Sequence, residues 1–124
     1  MNYGHSFGHA LEAATHFGIP HGIAVTIGLD IANYFAMKQG LIEQTLFNKL
    51  HDVLFLNLKS QDFVSFEIQE FIQALEKDKK NRQGEYGLIL PISKGEVELR
   101  FYKMNESVNT TIKNYFEEYS WTLK

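Results

Sequence analysis

One stretch, residues 23–37, constrains the fold of this chain more than any other. Wound as a helix it is apolar on nearly every side, so no face of it can be left in water. A membrane would satisfy that demand, but the stretch is shorter than the ~20 residues that span a bilayer, and it carries Asp30 and Asn33. The solution that remains is a helix, predicted over residues 22–39, buried among other helices. Gly40 stands where its C-terminus needs a left-handed residue.

The flanking segments can supply that coat. Residues 5–17 are rich in helix formers, and Gly18 with Pro20 closes them. Ile42, Leu46, Phe47, Leu50, Val53 and Leu54 recur at helical spacing, as do Val64, Ile68, Phe71, Ile72 and Leu75. Then the period changes. Val97, Leu99 and Phe101 alternate with Glu96, Glu98 and Arg100, the pattern of a half-buried strand. Residues 86–90 are its expected partner, joined through Pro91 and Ser93-Lys94-Gly95. A last amphipathic helix is expected over residues 108–119. With 124 residues, enough for one hydrophobic core, and no repeat or flexible linker, residues 1–124 read as a single mainly α domain. It is expected to be a helical bundle with a small β-hairpin.

Composition then limits the chemistry. A net charge of -3 gives no basic field for nucleic acid. The absence of cysteine excludes disulfides and thiolate sites, so any metal must be held by histidine and carboxylate. Nothing at the N-terminus reads as a signal peptide and nothing spans a membrane, so a cytoplasmic location is expected. Four of the five histidines fall in the first twenty-one residues: His5, His9, His16 and His21. On one continuous helix, His5, His9, Glu12 and His16 would share a face. Imidazole and carboxylate suit zinc or a similar divalent ion. Taken alone, a His-x-x-x-His pair also reads as a polar helix face that is rich in histidine.

The residues spelled out say more. Asn2-Tyr3-Gly4-His5-Ser6-Phe7-Gly8-His9-Ala10-Leu11-Glu12 is followed by His21-Gly22-Ile23-Ala24-Val25 and Gly28. Later come Asp78-Lys79-Lys80, Gly84 and the apolar residues 88–90. In this order the blocks resemble the 3-dehydroquinate synthase family, among the sugar phosphate cyclases, and specifically its C-terminal helical domain. The resemblance runs from Asn2 to about Val97. It implies that His5 and His21 are ligands of a divalent metal, Zn2+ or another such as Co2+. It implies that His9 handles protons beside the substrate, that Asn2 contacts substrate, and that Lys79 or Lys80 holds the substrate's anionic end. The implied reaction converts 3-deoxy-D-arabino-heptulosonate 7-phosphate to 3-dehydroquinate and phosphate, with NAD transiently oxidising a ring hydroxyl.

Those roles make physical sense. A metal polarises a bound hydroxyl and eases its proton loss. Imidazole changes protonation near neutral pH, and an ammonium group is a compact charge for an anion. The basic run Lys77, Lys79, Lys80 and Arg82 would offset the negative total where that anion docks, although such a run also suits a solvated turn after a helix. Three departures qualify the resemblance. The glycine-rich nucleotide-binding domain of the family is not in this chain, so NAD is expected to be bound by that domain, in cis or as a partner subunit, and not by this chain alone. The family's third metal ligand, a glutamate, belongs to the region before the signature; Glu12 or His16 could stand in geometrically. His21-Gly22-Ile23 replaces the family's His-Gly-Glu. The alternatives are therefore a related cyclase acting on another sugar phosphate, or a non-catalytic helical remnant, and homodimerisation is left open.

Overall fold

The computed structural model describes residues 3–56, 58, 65–93 and 95–119. Five helices and one hairpin follow in the order α1 (His5–Ala14), α2 (His21–Lys38), α3 (Gln44–Phe55), α4 (Ile68–Glu76), β1 (Glu85–Ser93), β2 (Glu96–Lys103) and α5 (Glu106–Glu118). Among these, α2 is the centre. It packs against α1, α3, β1 and α5, and Ala24, Ile27 and Gly28 are buried together with the whole run from Asp30 to Ala36. The all-round apolar character of the stretch thus becomes burial on all sides. Its end is built as expected: Gly40 takes φ 77°. The Gly40 and Leu41 amides donate to the Met37 and Ala36 carbonyls at 3.0 and 2.9 Å, so the last turn is satisfied.

The approach of α1 to α2 positions the site described below. A Cβ on Gly28 would lie 2.3 Å from the Gly4 carbonyl oxygen and 2.6 Å from the Gly8 nitrogen, so the two helices touch backbone to backbone. Because α1 and α2 are joined by a short turn and run back along one another, this contact places the start of α2 beside the middle of α1.

Two expectations are corrected. The first helix ends at Ala14 and not at Phe17. Thr15 closes it, with its hydroxyl bonded to the Leu11 carbonyl at 2.9 Å. His16 and Phe17 then turn left-handed at φ 54° and 59°, while their amides donate to the Ala13 and Glu12 carbonyls. His16 therefore leaves the helical face and pairs with Glu70 at 3.2 Å. The second correction concerns the hairpin. The two segments pair as expected, in an antiparallel register with Leu88 opposite Arg100 and Leu90 opposite Glu98. The buried strand is β1, closed over from Tyr86 to Pro91. The apolar set of β2 is not what the core takes: Leu99 is 38% exposed, and Phe101 lies under the Arg82 guanidinium, 3.7 Å from its ring centre. Instead Tyr102 reaches inward, its ring 4.9 Å from Phe35. β2 pairs along one edge of β1, while α2 and the turn at Lys80 pack on β1, and a strand buried on both faces needs no alternation.

The remaining helices match their patterns, α5 with an N-cap in which the Asn105 side chain accepts from the Val108 amide at 2.9 Å. Val64, Lys94 and Asn2 lie outside the described residues. Among the described residues, no helix is long and apolar enough to cross a membrane.

Candidate functional site

Three imidazoles gather where α1 meets the start of α2. His5 and His9 sit one turn apart on α1, with ring centres 5.5 Å apart. His21, the first residue of α2, has its ring 6.1 Å from His5 and 6.3 Å from His9. The three rings are not equivalent. His5 is half-buried, and among the described residues its Nδ1 is buried without a hydrogen-bond partner. His21 donates from Nδ1 to Glu12 Oε2 at 2.9 Å, a contact between a buried carboxylate and a mostly exposed ring. His9 is exposed and faces a neighbouring cavity.

That cavity holds about 650 Å³ between α1 and the end of α4, and its lining includes Ser6, His9, Lys77, Asp78, Lys79 and Lys80. The turn carrying the lysines is clamped on two sides. The Asn81 side chain donates to the Leu75 and Glu76 carbonyls at 2.9 and 3.0 Å, ending α4, and accepts from the Gly87 amide of β1 at 2.9 Å. A Cβ on Gly87 would fall 2.3 Å from the Lys80 carbonyl oxygen, so β1 backs directly onto the turn. Asp78 accepts from the Lys80 amide at 2.8 Å and lies 3.1 Å from its ammonium. Burial pushes the Asp78 carboxyl up, but the Lys80 hydrogen bonds and charge outweigh it and hold the group below the usual carboxylate range. Lys79 stays exposed. Arg82 turns away to Phe101 and Glu85, so three members of the basic run face the cavity and the fourth does not.

The structure therefore brings His5, His9 and His21 together and places Lys79 and Lys80 on the wall of the cavity that His9 also lines. His9 belongs to both groups. Asn2 is outside the described residues. Reasoning from sequence missed Asn81 and the pairing of Glu12 with His21. An asparagine just past a helix end is a signal for a cap, whereas the Glu12 pairing depends on how α1 and α2 cross and has no local signature.

A divalent ion fits these residues as part of its ligand set. Two imidazoles on one tetrahedral ion place their ring centres roughly 5 Å apart, given metal–nitrogen bonds of about 2.0–2.1 Å, and His5 and His21 are close to that. The unpartnered His5 nitrogen and the carboxylate-held His21 both suit ligands. Among the described residues no group of three histidines or carboxylates is arranged to hold an ion, so further ligands have to come from elsewhere.

Comparison with known proteins gives one answer. The chain is 32% identical over 99 residues to a 3-dehydroquinate synthase of Alkaliphilus metalliredigens, covering 79% of this chain and 28% of that one. It is 36% identical over 100 residues to the Dictyoglomus thermophilum 3-dehydroquinate synthase, covering 80% and 28%. This chain thus spans under a third of the length of these relatives. In fold it is similar to a solved 2-deoxy-scyllo-inosose synthase complexed with carbaglucose-6-phosphate, NAD+ and Co2+, with a TM-score of 0.73 at 22% identity over 90% of this chain and 34% of that one. The family description "3-dehydroquinate synthase C-terminal" matches residues 1–81, and the chain belongs to that family.

Proposed function

We propose that this chain is the metal- and substrate-binding part of a 3-dehydroquinate synthase, acting on 3-deoxy-D-arabino-heptulosonate 7-phosphate together with an NAD-binding domain supplied in cis or as a partner. The observation that carries the proposal is the shared position of His9, one turn from His5 and on the wall of the lysine-lined cavity. A cyclase of this kind needs an ion at the alcohol end of its substrate, a cation at the anionic end, and a proton carrier between them. His5 and His21 are the residues that would hold Zn2+ or another divalent ion such as Co2+, which supplies polarisation of a substrate hydroxyl. His9 takes and returns a proton at its imidazole. Lys79 and Lys80 bind phosphate or carboxylate oxygens, Lys80 from a fixed turn and Lys79 from a free side chain. Asn2, at the start of the signature, is proposed as a further substrate contact.

A second reading has a specific observation behind it. His21 is followed by Gly22 and Ile23, so the carboxylate of the family's His-Gly-Glu is missing at the mouth of the site, and a related cyclase acting on another sugar phosphate would fit that change. Phosphate release separates the two. This chain, co-expressed with the NAD-binding domain of a relative and given NAD and Co2+, is expected to release phosphate from 3-deoxy-D-arabino-heptulosonate 7-phosphate. Release from a hexose 6-phosphate alone would favour the second reading, and release from neither substrate would sink the first.

A further inference from the structure

Glu12 has no part in the reading above, yet its carboxylate is buried at the crossing of α1 and α2. A buried carboxylate needs a partner, and this one has the Nδ1–H of His21 at 2.9 Å. We infer that Glu12 is the positioning residue of the site: it fixes the tautomer and orientation of His21, so that Nε2 carries no proton and is the nitrogen offered to the ion. The inference rests on the reading of His21 as a metal ligand.

Three observations support it. First, both partners stand on rigid elements. Glu12 is inside α1, His21 opens α2, and the Gly28 contact with Gly4 and Gly8 fixes one helix against the other. Second, the connection between them is short and held in an unusual shape, with His16 and Phe17 both left-handed, so the ring is delivered to the carboxylate by backbone and not by a wandering loop. Third, Glu12 Oε2 is engaged with Nδ1. A carboxylate engaged at Nδ1 leaves Nε2, on the opposite edge of the ring, as the nitrogen open to an ion. A histidine ligand commonly donates its second N–H to a carboxylate, and removing such a partner typically costs about 10–100-fold in metal affinity. His5, whose Nδ1 has no partner among the described residues, lacks this support, so His21 is the pre-set ligand of the two.

The test reads the tautomer first and the metal second. Ring 15N spectra of the metal-free chain at pH 8 should show His21 protonated at Nδ1. In Glu12→Ala the proton should move largely to Nε2, while Glu12→Gln, whose amide oxygen can still accept, should keep it at Nδ1. Co2+ titration followed by visible absorption should give an affinity about 10–100-fold weaker in Glu12→Ala and intermediate in Glu12→Gln. Circular dichroism of the two variants should match the parent. An unchanged His21 tautomer in Glu12→Ala overturns the inference, as does unchanged Co2+ affinity there when His21→Ala abolishes binding. If His21→Ala itself leaves Co2+ binding intact, the ligand reading of His21 fails, and with it the metal role assigned to Glu12. The tautomer spectra then still decide whether Glu12 orients the ring.

Discussion

Of the three carboxylate–histidine pairs among the described residues, the two shortest are nearly equal in length and stand in opposite surroundings. Glu12 and His21 meet at 2.9 Å with the ring 61% exposed and two further imidazoles nearby. Asp30 and His51 meet at 2.8 Å with the ring 17% exposed and the carboxylate fully buried. There, Tyr115 also donates to Asp30 Oδ2, at 2.7 Å, and the His51 ring lies 3.9 Å from Phe55 and 4.6 Å from Tyr119. Burial pushes the Asp30 carboxyl up, against the hydrogen bonds of Tyr115 and His51, which pull it down. The same burial, with the Asp30 charge nearby, pushes the Tyr3 hydroxyl up to about 12. One pair is open on the side where a ligand could bind. The other is closed by aromatic rings and ties α2 to α3 and α5. The motif is common to both; what surrounds it decides whether it can act or only hold.

That contrast predicts a large split in stability. Asp30→Ala should cost roughly 3–5 kcal/mol, because it removes the buried carboxylate that pairs with His51 and accepts from Tyr115. Glu12→Ala should cost less than about 1 kcal/mol, since its partner is mostly in water. Urea denaturation of both variants checks the pair, and equal losses would erase the distinction. Next in size is Gly28→Ala, which drives a methyl into backbone atoms of α1. A loss of about 3 kcal/mol is expected, at the upper end for overpacking, with weaker Co2+ binding because Glu12 and His21 move apart. A Gly28→Ala chain that keeps both its urea midpoint and its Co2+ affinity would show that the crossing does not set the site.

These expectations also show what the sequence could and could not convey. The burial of α2 was legible because all-round apolarity has only one outcome in water, and Gly40 announced its cap through local backbone chemistry. The face of β2 was not legible. Alternation of Val97, Leu99 and Phe101 names two faces but not which one the core takes, and Arg82 covers Phe101 from outside. The histidines were legible as a group, whereas the role of His16 was not, because the turn that removes it from α1 is set by two left-handed residues that carry no glycine signal. Both carboxylate pairs depend on contacts between helices and left no mark in local spacing.

Smaller effects should follow at the cavity. Replacing Lys79 or Lys80 by alanine is expected to raise KM about tenfold with kcat little changed, the signature of a lost ground-state contact to an anion. Only Lys80→Ala should also disturb stability, since Lys80 is the partner of Asp78. The pH dependence has opposite signs at Asp78 and Asp30. For Asp78, held below its unfolded value, the stabilising contribution is present above the unfolded pKa of about 3.9 and is lost as pH falls through the folded one. For Asp30, held above its unfolded value, the contribution is favourable at low pH and is lost as pH rises through the raised pKa. Urea midpoints between pH 3 and 7 (roughly the window these carboxylates span) should therefore fall with acid less steeply in Asp78→Asn, and Asp30→Asn should change the slope the other way.

The central claim is that His5 and His21 hold the ion while His9 serves the substrate. The three ring separations, from 5.5 to 6.3 Å, do not choose among the pairs; the claim rests on the His5 nitrogen that has no partner among the described residues and on the Glu12-held His21. Metal content of the chain assembled with its NAD-binding domain, measured for the three alanine variants, tests this most directly. His5→Ala and His21→Ala should each lose the metal, and His9→Ala should keep it while turnover falls about 10²–10⁴-fold. A His9→Ala protein that comes out empty while His21→Ala stays loaded would mean that the ion is clamped by His5 and His9 along α1, and would contradict the account.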